Sequence, residues 1–199
     1  MSRVRADDYD DKKQDILDHS AALFAEKGFQ TTSMIDIARA CGASKSNLYH
    51  YFSSKEEVLY AITSGHTRAM HAELSEVAAL PLSAEERFSR FIGSFVKLAA
   101  DSRDEHLILM NDISFLPEDK REKLLEMEGR IIRILIDLLE EINPGTFRAS
   151  EVKTPYAMLL FGMLIWTFTW YTKGGPVSPE DLAKRISHLF LYGFKSDLP

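Results

Sequence analysis

Between Thr31 and Lys55 the chain reads TTSMIDIARACGASKSNLYHYFSSK, its densest run of side chains able to recognise another polymer. Lys45, Ser46, Asn47, Tyr49, His50 and Tyr51 supply a cation, an amide, hydroxyls and an imidazole within two turns of helix. Cations, hydroxyls and imidazoles bond phosphate oxygens, while an amide can pair with two atoms on one base edge. The chemistry on offer is non-covalent reading of duplex DNA. Lys45, Asn47 and Tyr49 are the expected base or near-base contacts, with Ser46 on the same surface. Thr32, Ser33, Ser44, His50, Tyr51 and Lys55 are the expected phosphate contacts.

Other chemistries find little support in the sequence. It has no nucleophile motif and no glycine-rich phosphate loop, and His66 and His71 are five apart, which does not suit one narrow helical face. Glu140 and Glu141 read as surface carboxylates. The single cysteine, Cys41, rules out an internal disulfide framework and a cysteine-based zinc cluster, and reads as a small buried residue in a turn. No catalytic residue, metal or cofactor is expected.

The elements that must hold the recognition groups can be read from their end signals. Ser33 can cap a helix from Met34, with Asp36 completing a capping box, and Gly42 supplies the sharp turn that ends it. Ser44 caps the next helix, Lys45 to about Phe52. Leu48 and Phe52 share its inner face; Lys45 with Tyr49, Ser46 with His50 and Asn47 with Tyr51 form the other rows. Ser54 and Glu57 cap a third helix. Lys55 then sits at a positive helix end, an unfavourable place that a nearby phosphate would explain. Two short helices joined by a tight turn are the layout of a helix-turn-helix reader.

This stretch resembles the TetR family of one-component transcriptional regulators. The matching residues are Phe24, Gly28, Thr32, Ile37, Ala38, Gly42, Ser44, Leu48, Tyr49, Tyr51, Phe52 and Lys55. They fill the linked patterns A-x-x-[LF]-F-x-x-x-G-[FY], T-x-x-x-I-A and S-x-x-x-[LI]-Y-x-[YH]-F-x-x-K. Cys41 stands where the family usually has Ala, and Ala43 where it has Val. The resemblance implies an all-α fold of about nine helices: an N-terminal helix-turn-helix domain, residues 1–54, and a C-terminal ligand-binding and dimerisation domain, residues 55–199.

Composition agrees with a globular regulator. The chain has 199 residues, 45% of them hydrophobic and 27% charged, which supports a real core. The net charge of −6 argues at first against nucleic acid, and residues 1–65 carry eight Lys/Arg against ten Asp/Glu. The acids are unevenly placed. Asp7, Asp8, Asp10 and Asp11 lie in an expected flexible leader, residues 1–10, whereas Lys27 to Lys55 holds four cations and only Asp36. The charged start lacks a signal-peptide pattern, so a cytoplasmic location is expected.

Helical periodicity dominates the remainder, without strand signals. A first helix is expected from about Asp11 to Lys27. A long helix follows from Lys55 to about Ala79, then Ser83 to Ala100, Arg103 to Ser114, Pro117 to about Asn143, Pro155 to Gly174, and Ser178 onward. Thr154 to Thr172 carries no charge, which on length makes it a membrane-span candidate. Pro155 and Gly162 within it favour a buried helix and no membrane association.

In the C-terminal half, Phe88, Phe91, Phe95, Met158, Phe161 and Trp166 are expected to line an apolar effector site, with Met110 beside them and His106, Asn111, Arg130 and Tyr156 as polar anchors. NDISFLPEDKREKLLEMEGRII and GMLIWTFTWYTKGGPVSPEDLA resemble a TetR subgroup that regulates aromatic-acid, fatty-acid or sterol catabolism. That resemblance implies an acyl-CoA or aromatic-acid effector. It also implies that the last two helices form a homodimer interface, for which Trp170, Leu182, Ile186, Leu189 and Phe190 are the candidates. The reading is a ligand-responsive homodimeric repressor of a palindromic DNA operator. A helical small-molecule carrier with a vestigial reading head is the alternative at this point.

Overall fold

Capping side chains and glycines at the helix ends divide this chain into short and long helices. In the computed structural model, which describes residues 2–148, 150–171 and 174–195, the described residues form nine α-helices and no strand. They are α1 (Ser2–Lys27), α2 (Met34–Ala40), α3 (Lys45–Tyr51), α4 (Lys55–Ala78), α5 (Ala84–Asp101), α6 (Arg103–Asp112), α7 (Glu118–Ile142), α8 (Ser150–Trp170) and α9 (Pro179–Lys195). The all-α expectation is met. No helix among the described residues is long and apolar enough to cross a membrane.

The chain divides into two compact units. One joins Met1–His66 to Asp104–Leu124; the other joins Thr67–Arg103 to Leu125–Pro199. This grouping differs from a simple boundary after residue 54. The first turns of α4 bury Val58, Leu59 and Ile62 in the first unit, and residues 104–124 return to it. Phe115 stacks on Phe29 at 5.3 Å between centroids. Lys120 lies 3.8 Å from the Glu57 carboxylate and over the Tyr60 ring.

In the first unit, Gly28 ends α1 at φ 85°, a conformation that strains any side chain, and donates its N–H to Phe24 O at 2.9 Å. The turn after it is fastened from inside. The Thr32 hydroxyl donates to Gly28 O at 2.9 Å, and Lys55 Nζ, from α4, donates to Phe29 O at 2.6 Å, Thr32 O at 2.7 Å and Gln30 O at 3.3 Å. The same ammonium lies 4.3 Å from the centroid of the Phe29 ring. Phe29 is itself buried, edge-on to Phe24.

A second buried tie joins α4 to α6. His66 Nε2 and His106 Nδ1 are 3.2 Å apart and share one proton in a hydrogen bond. Burial lowers the His66 pKa from 6.5 to about 4. Burial, with a smaller contribution from His66, lowers that of His106 to about 3. Both are neutral near pH 7.

The second unit is built on apolar stripes. Phe88, Phe91, Ile92 and Phe95 of α5 meet Leu135, Leu138 and Leu139 of α7, Leu160, Phe161 and Leu164 of α8, and Leu182, Ile186 and Phe190 of α9 in one core. Phe88 stacks on Phe190 at 5.8 Å and Phe95 meets Phe161 at 5.6 Å. Arg87 secures the end of α4, donating to Ala78 O at 3.0 Å while its other nitrogen pairs with Glu141.

Two helix starts depart from expectation. Helix α1 begins at Ser2, so the acidic leader is helical instead of a flexible segment; Tyr9, stacked on Tyr51 of α3, gives those early turns a tertiary contact. Helix α8 begins at Ser150, and Pro155 lies inside it. Proline lacks the N–H that would reach back one turn, and the core contacts of Ala157, Leu160 and Phe161 offset that loss.

Two predictions follow from these ties. Lys55→Met removes the charged donor from three carbonyls and should lower stability by about 1–3 kcal/mol, read as a fall in thermal midpoint with helix content retained. For the histidine pair, the unfolded chain takes up protons as pH falls through about 6.5, where the folded chain does not. Stability present above that pH is therefore lost toward the lower folded values, by up to about 1.4 kcal/mol per pH unit for each histidine. Urea midpoints at pH 7.5, 6.5 and 5.5 should show this decline, and His106→Asn should flatten it.

Candidate nucleic-acid interface

The recognition groups sit on two short helices whose ends are fixed by side-chain caps. The Ser33 hydroxyl accepts the Asp36 N–H at 3.2 Å, and the Asp36 carboxylate accepts the Ser33 N–H at 3.0 Å. The Ser33 hydroxyl also donates to the Asp36 carboxylate at 2.5 Å, and this bond, followed by that from the Ser33 N–H, holds the Asp36 carboxyl below its ordinary pKa, with help from the charges of Arg39 and Lys27. At the far end of α2, Ala43 N–H bonds Ala38 O at 2.9 Å and Gly42 N–H bonds Arg39 O at 3.2 Å, with Gly42 at φ 61°. This six-to-one and five-to-two pair turns the chain sharply into α3.

Ser44 caps α3 by accepting the Asn47 N–H at 3.1 Å. Leu48 is fully buried and Phe52 nearly so. With those two inside, Lys45, Ser46, Asn47, Tyr49 and His50 are all exposed and Tyr51 is half-buried. Lys45 Nζ lies 5.7 Å from the Tyr49 ring centroid, one turn along. The sequence rows are thus laid out as their spacing implies: inner face covered, polar face open. Such a face can present an amide and a phenol to base edges with a cation beside them.

Several expected phosphate contacts are placed differently. Lys55, expected as a phosphate contact, is half-buried and acts as a strut instead, because three carbonyls and the Phe29 ring hold its ammonium. Those carbonyls, with no phosphate needed, account for a lysine at a positive helix end. Thr32 is buried and its hydroxyl donates to Gly28 O, so its side chain faces the turn. Ser33 and Ser44 are exposed caps whose hydroxyls remain at the surface. Ser54 accepts the Glu57 N–H as expected, but the Glu57 carboxylate reaches the Ser53 N–H, which holds its pKa low.

Ile35, Arg39 and Tyr9, none of them an expected contact, join this surface. Ile35 is 51% exposed on α2, and Arg39 follows it four residues on, with only a 3.5 Å pairing to Asp36. The apolar Ile37, buried on the opposite side of α2, was the signal that could have placed Ile35 and Arg39 outward. Tyr9 of α1 stacks on Tyr51 at 4.7 Å; nothing in sequence spacing points to that contact. Cys41 is half-buried at the α2 C-cap, and burial raises its thiol pKa, as suits an unreactive turn residue.

The expected effector residues fall in both units. Phe88, Phe91, Phe95 and Phe161 are buried core side chains of the second unit, packed on neighbouring rings. Met158 and Trp166 are 50% and 67% exposed and lie on an open groove with Leu159, Gly162, Trp170, Leu182 and Ile186. That groove, about 580 Å³, runs along α8 and α9, so these two side chains share the face assigned to dimerisation. Arg130 is exposed and paired with Glu126 at 2.9 Å. His106 is committed to His66 in the first unit, where Met110 and Asn111 are exposed. Among the expected dimer residues, Trp170 and Leu189 point outward, Leu182 and Ile186 form the groove floor, and Phe190 turns inward onto Phe88.

Known proteins share this architecture. The model of bacterial regulatory proteins of the tetR family matches residues 16–62, and that of the tetracyclin repressor-like C-terminal domain matches residues 81–194. The chain is 27% identical over 202 residues to the HTH-type transcriptional repressor KstR2 of Rhodococcus jostii, covering 98% of each. A TetR-family transcriptional regulator from Bordetella parapertussis superposes with a TM-score of 0.88 at 37% identity, over 94% of this chain and 97% of that one. AibR, solved with isovaleryl coenzyme A and operator DNA, shares the fold at a TM-score of 0.79 and 24% identity, over 89% of this chain and 97% of its own. The chain belongs to the TetR family of transcriptional regulators, with an N-terminal helix-turn-helix DNA-binding domain and a C-terminal helical domain.

Proposed function

We propose that this regulator represses transcription as a homodimer on a palindromic operator and is released by an acyl-CoA or aromatic-acid effector. The observation that carries the DNA half is the exposed face of α3, where Lys45, Ser46, Asn47, Tyr49 and His50 stand over a core sealed by Leu48. In each half-site α3 enters the major groove; Asn47 and Tyr49 read base edges, and Lys45 lies at the base and phosphate boundary. Ser33, Ser44, His50 and Tyr51 bond phosphates. Arg39 adds a cation at the α2 edge.

Dimerisation supplies the second head. The outward row of Leu159, Trp166, Trp170 and Leu189 on α8 and α9 is large, apolar and exposed, and a second copy would cover it. Two heads then sit about 34 Å apart, or a multiple of it, matching successive turns of one duplex face. Effector binding favours a state in which α4 tilts and the spacing of the heads no longer fits. The effector class rests on the two C-terminal motifs and on a fold that in AibR accompanies isovaleryl coenzyme A.

Genomic selection with the purified full chain tests the DNA half and should enrich one palindromic site. No enriched site would favour a carrier with an inactive head. On that site, Asn47→Ala should relax preference at one base position by about 1–3 kcal/mol. Lys45→Ala should weaken binding and reduce the salt slope by about one per head. Trp166→Asp with Trp170→Asp should give a monomer by light scattering. Native mass spectrometry of protein from its host, with isovaleryl-CoA and benzoyl-CoA tested for release of the operator duplex, checks the effector class.

A further inference from the structure

Tyr9 lies far from the recognition helix in sequence, but three rings meet there. Its ring stacks on Tyr51 at 4.7 Å with an interplanar angle of 27°. It stands edge-on to His50 at 6.2 Å and 90°, and His50 stands edge-on to Tyr51 at 5.6 Å and 79°. His50 and Tyr51 are consecutive at the end of α3, so their side chains leave the helix about 100° apart. Tyr9 fills that gap and touches both. It is 38% exposed, so it sits at the surface of the reading head and not in its core.

Exposed aromatic and imidazole side chains lose rotamer freedom when they seat on a phosphate, and that cost subtracts from affinity. A ring already clamped in its bound orientation loses less. We propose that Tyr9 is a positioning residue of the DNA interface: its ring holds His50 and Tyr51 in the orientation that meets the phosphate backbone. This role rests on the assignment of His50 and Tyr51 to phosphate oxygens. The helical course of α1 through residue 9 is what brings the ring to α3.

The test uses the full chain and a fluorescent duplex carrying the site enriched by genomic selection, titrated at low salt so that weak variants remain measurable. An aromatic pair of this kind corresponds to about 2- to 10-fold in affinity per head, hence about 4- to 100-fold for a dimer. Tyr9→Ala should lose that much, and Tyr9→Phe, which keeps the stacked ring, should restore it. Tyr9→Leu keeps apolar bulk without the stack and should fall with Tyr9→Ala; recovery by Leu would mean plain packing and overturn the proposal. In a His50→Ala/Tyr51→Ala background, adding Tyr9→Ala should change affinity by less than about two-fold. A full loss persisting there would mean that Tyr9 acts without those two side chains, which also overturns it. If His50→Ala/Tyr51→Ala weakens binding and Tyr9→Ala does not, the positioning role alone fails. If His50→Ala/Tyr51→Ala binds like the wild type, the phosphate assignment fails and takes the proposal with it.

Discussion

One ammonium group fixes the geometry on which the DNA-reading head depends. Lys55 reaches from the start of α4 into the turn between α1 and α2 and donates to three carbonyls there. Those carbonyls face inward because Gly28 bends the chain through a left-handed conformation and Thr32 folds its hydroxyl back to Gly28 O. A backbone turn with inward carbonyls would be costly without donors. Lysine meets that need with three rotatable N–H groups, and its charge lies over the Phe29 ring. Phe29 in turn touches Phe24 of α1 and Phe115 after α6. The strut therefore joins α1, the turn, α4 and the segment 113–115, and α3 hangs between its fixed points.

This explains what could be read from the chain and what could not. Ser33, Asp36, Gly42 and Ser44 act on atoms within a few residues of themselves, so sequence alone located α2, α3 and the turn between them. Leu48 and Phe52 were legible for the same reason, since one helix face decides both. Lys55 is different. Its type and position were apparent, but the direction of a long side chain depends on a turn more than twenty residues away, and an inward route looks the same in sequence as an outward one. Tyr9 is the same problem in the other direction: the charged residues around it resemble a solvated leader, and only a ring on another helix makes that segment part of the structure.

The C-terminal half was legible as helices but not as surfaces. Helix α8 is apolar nearly all round, so periodicity cannot distinguish the side facing its own core from the side facing outward. The structure makes that division: Ala157, Leu160, Phe161 and Leu164 are buried, while Met158, Leu159, Trp166 and Trp170 are open. Helix α9 has a clearer stripe, yet Phe190 and its neighbour Leu189 fall on opposite sides of the boundary, one stacked on Phe88 and the other exposed. The expected effector residues therefore span core, outer face and, in His106, a buried tie of the other unit.

The strut also changes the electrostatics of DNA recognition. Of the four cations between Lys27 and Lys55, Lys55 is spent on carbonyls and Arg39 stands near Asp36. Lys45 is the cation left on α3 itself, in a chain of net charge −6. With Lys55 engaged internally, the proposed reading implies a modest sequence-independent affinity for this head. In the proposed homodimer, occupancy of an operator would draw on fitted base contacts and on two heads acting together, because joining two weak sites multiplies their affinities when the spacing fits. The same multiplication makes release sensitive to geometry. A regulator held by many lysines would stay on DNA after a modest change in head spacing, whereas one held mainly by fit would not. Under the proposed function, the engagement of Lys55 inside the head leaves affinity more dependent on fit, and fit is what an effector-driven change in head spacing would alter.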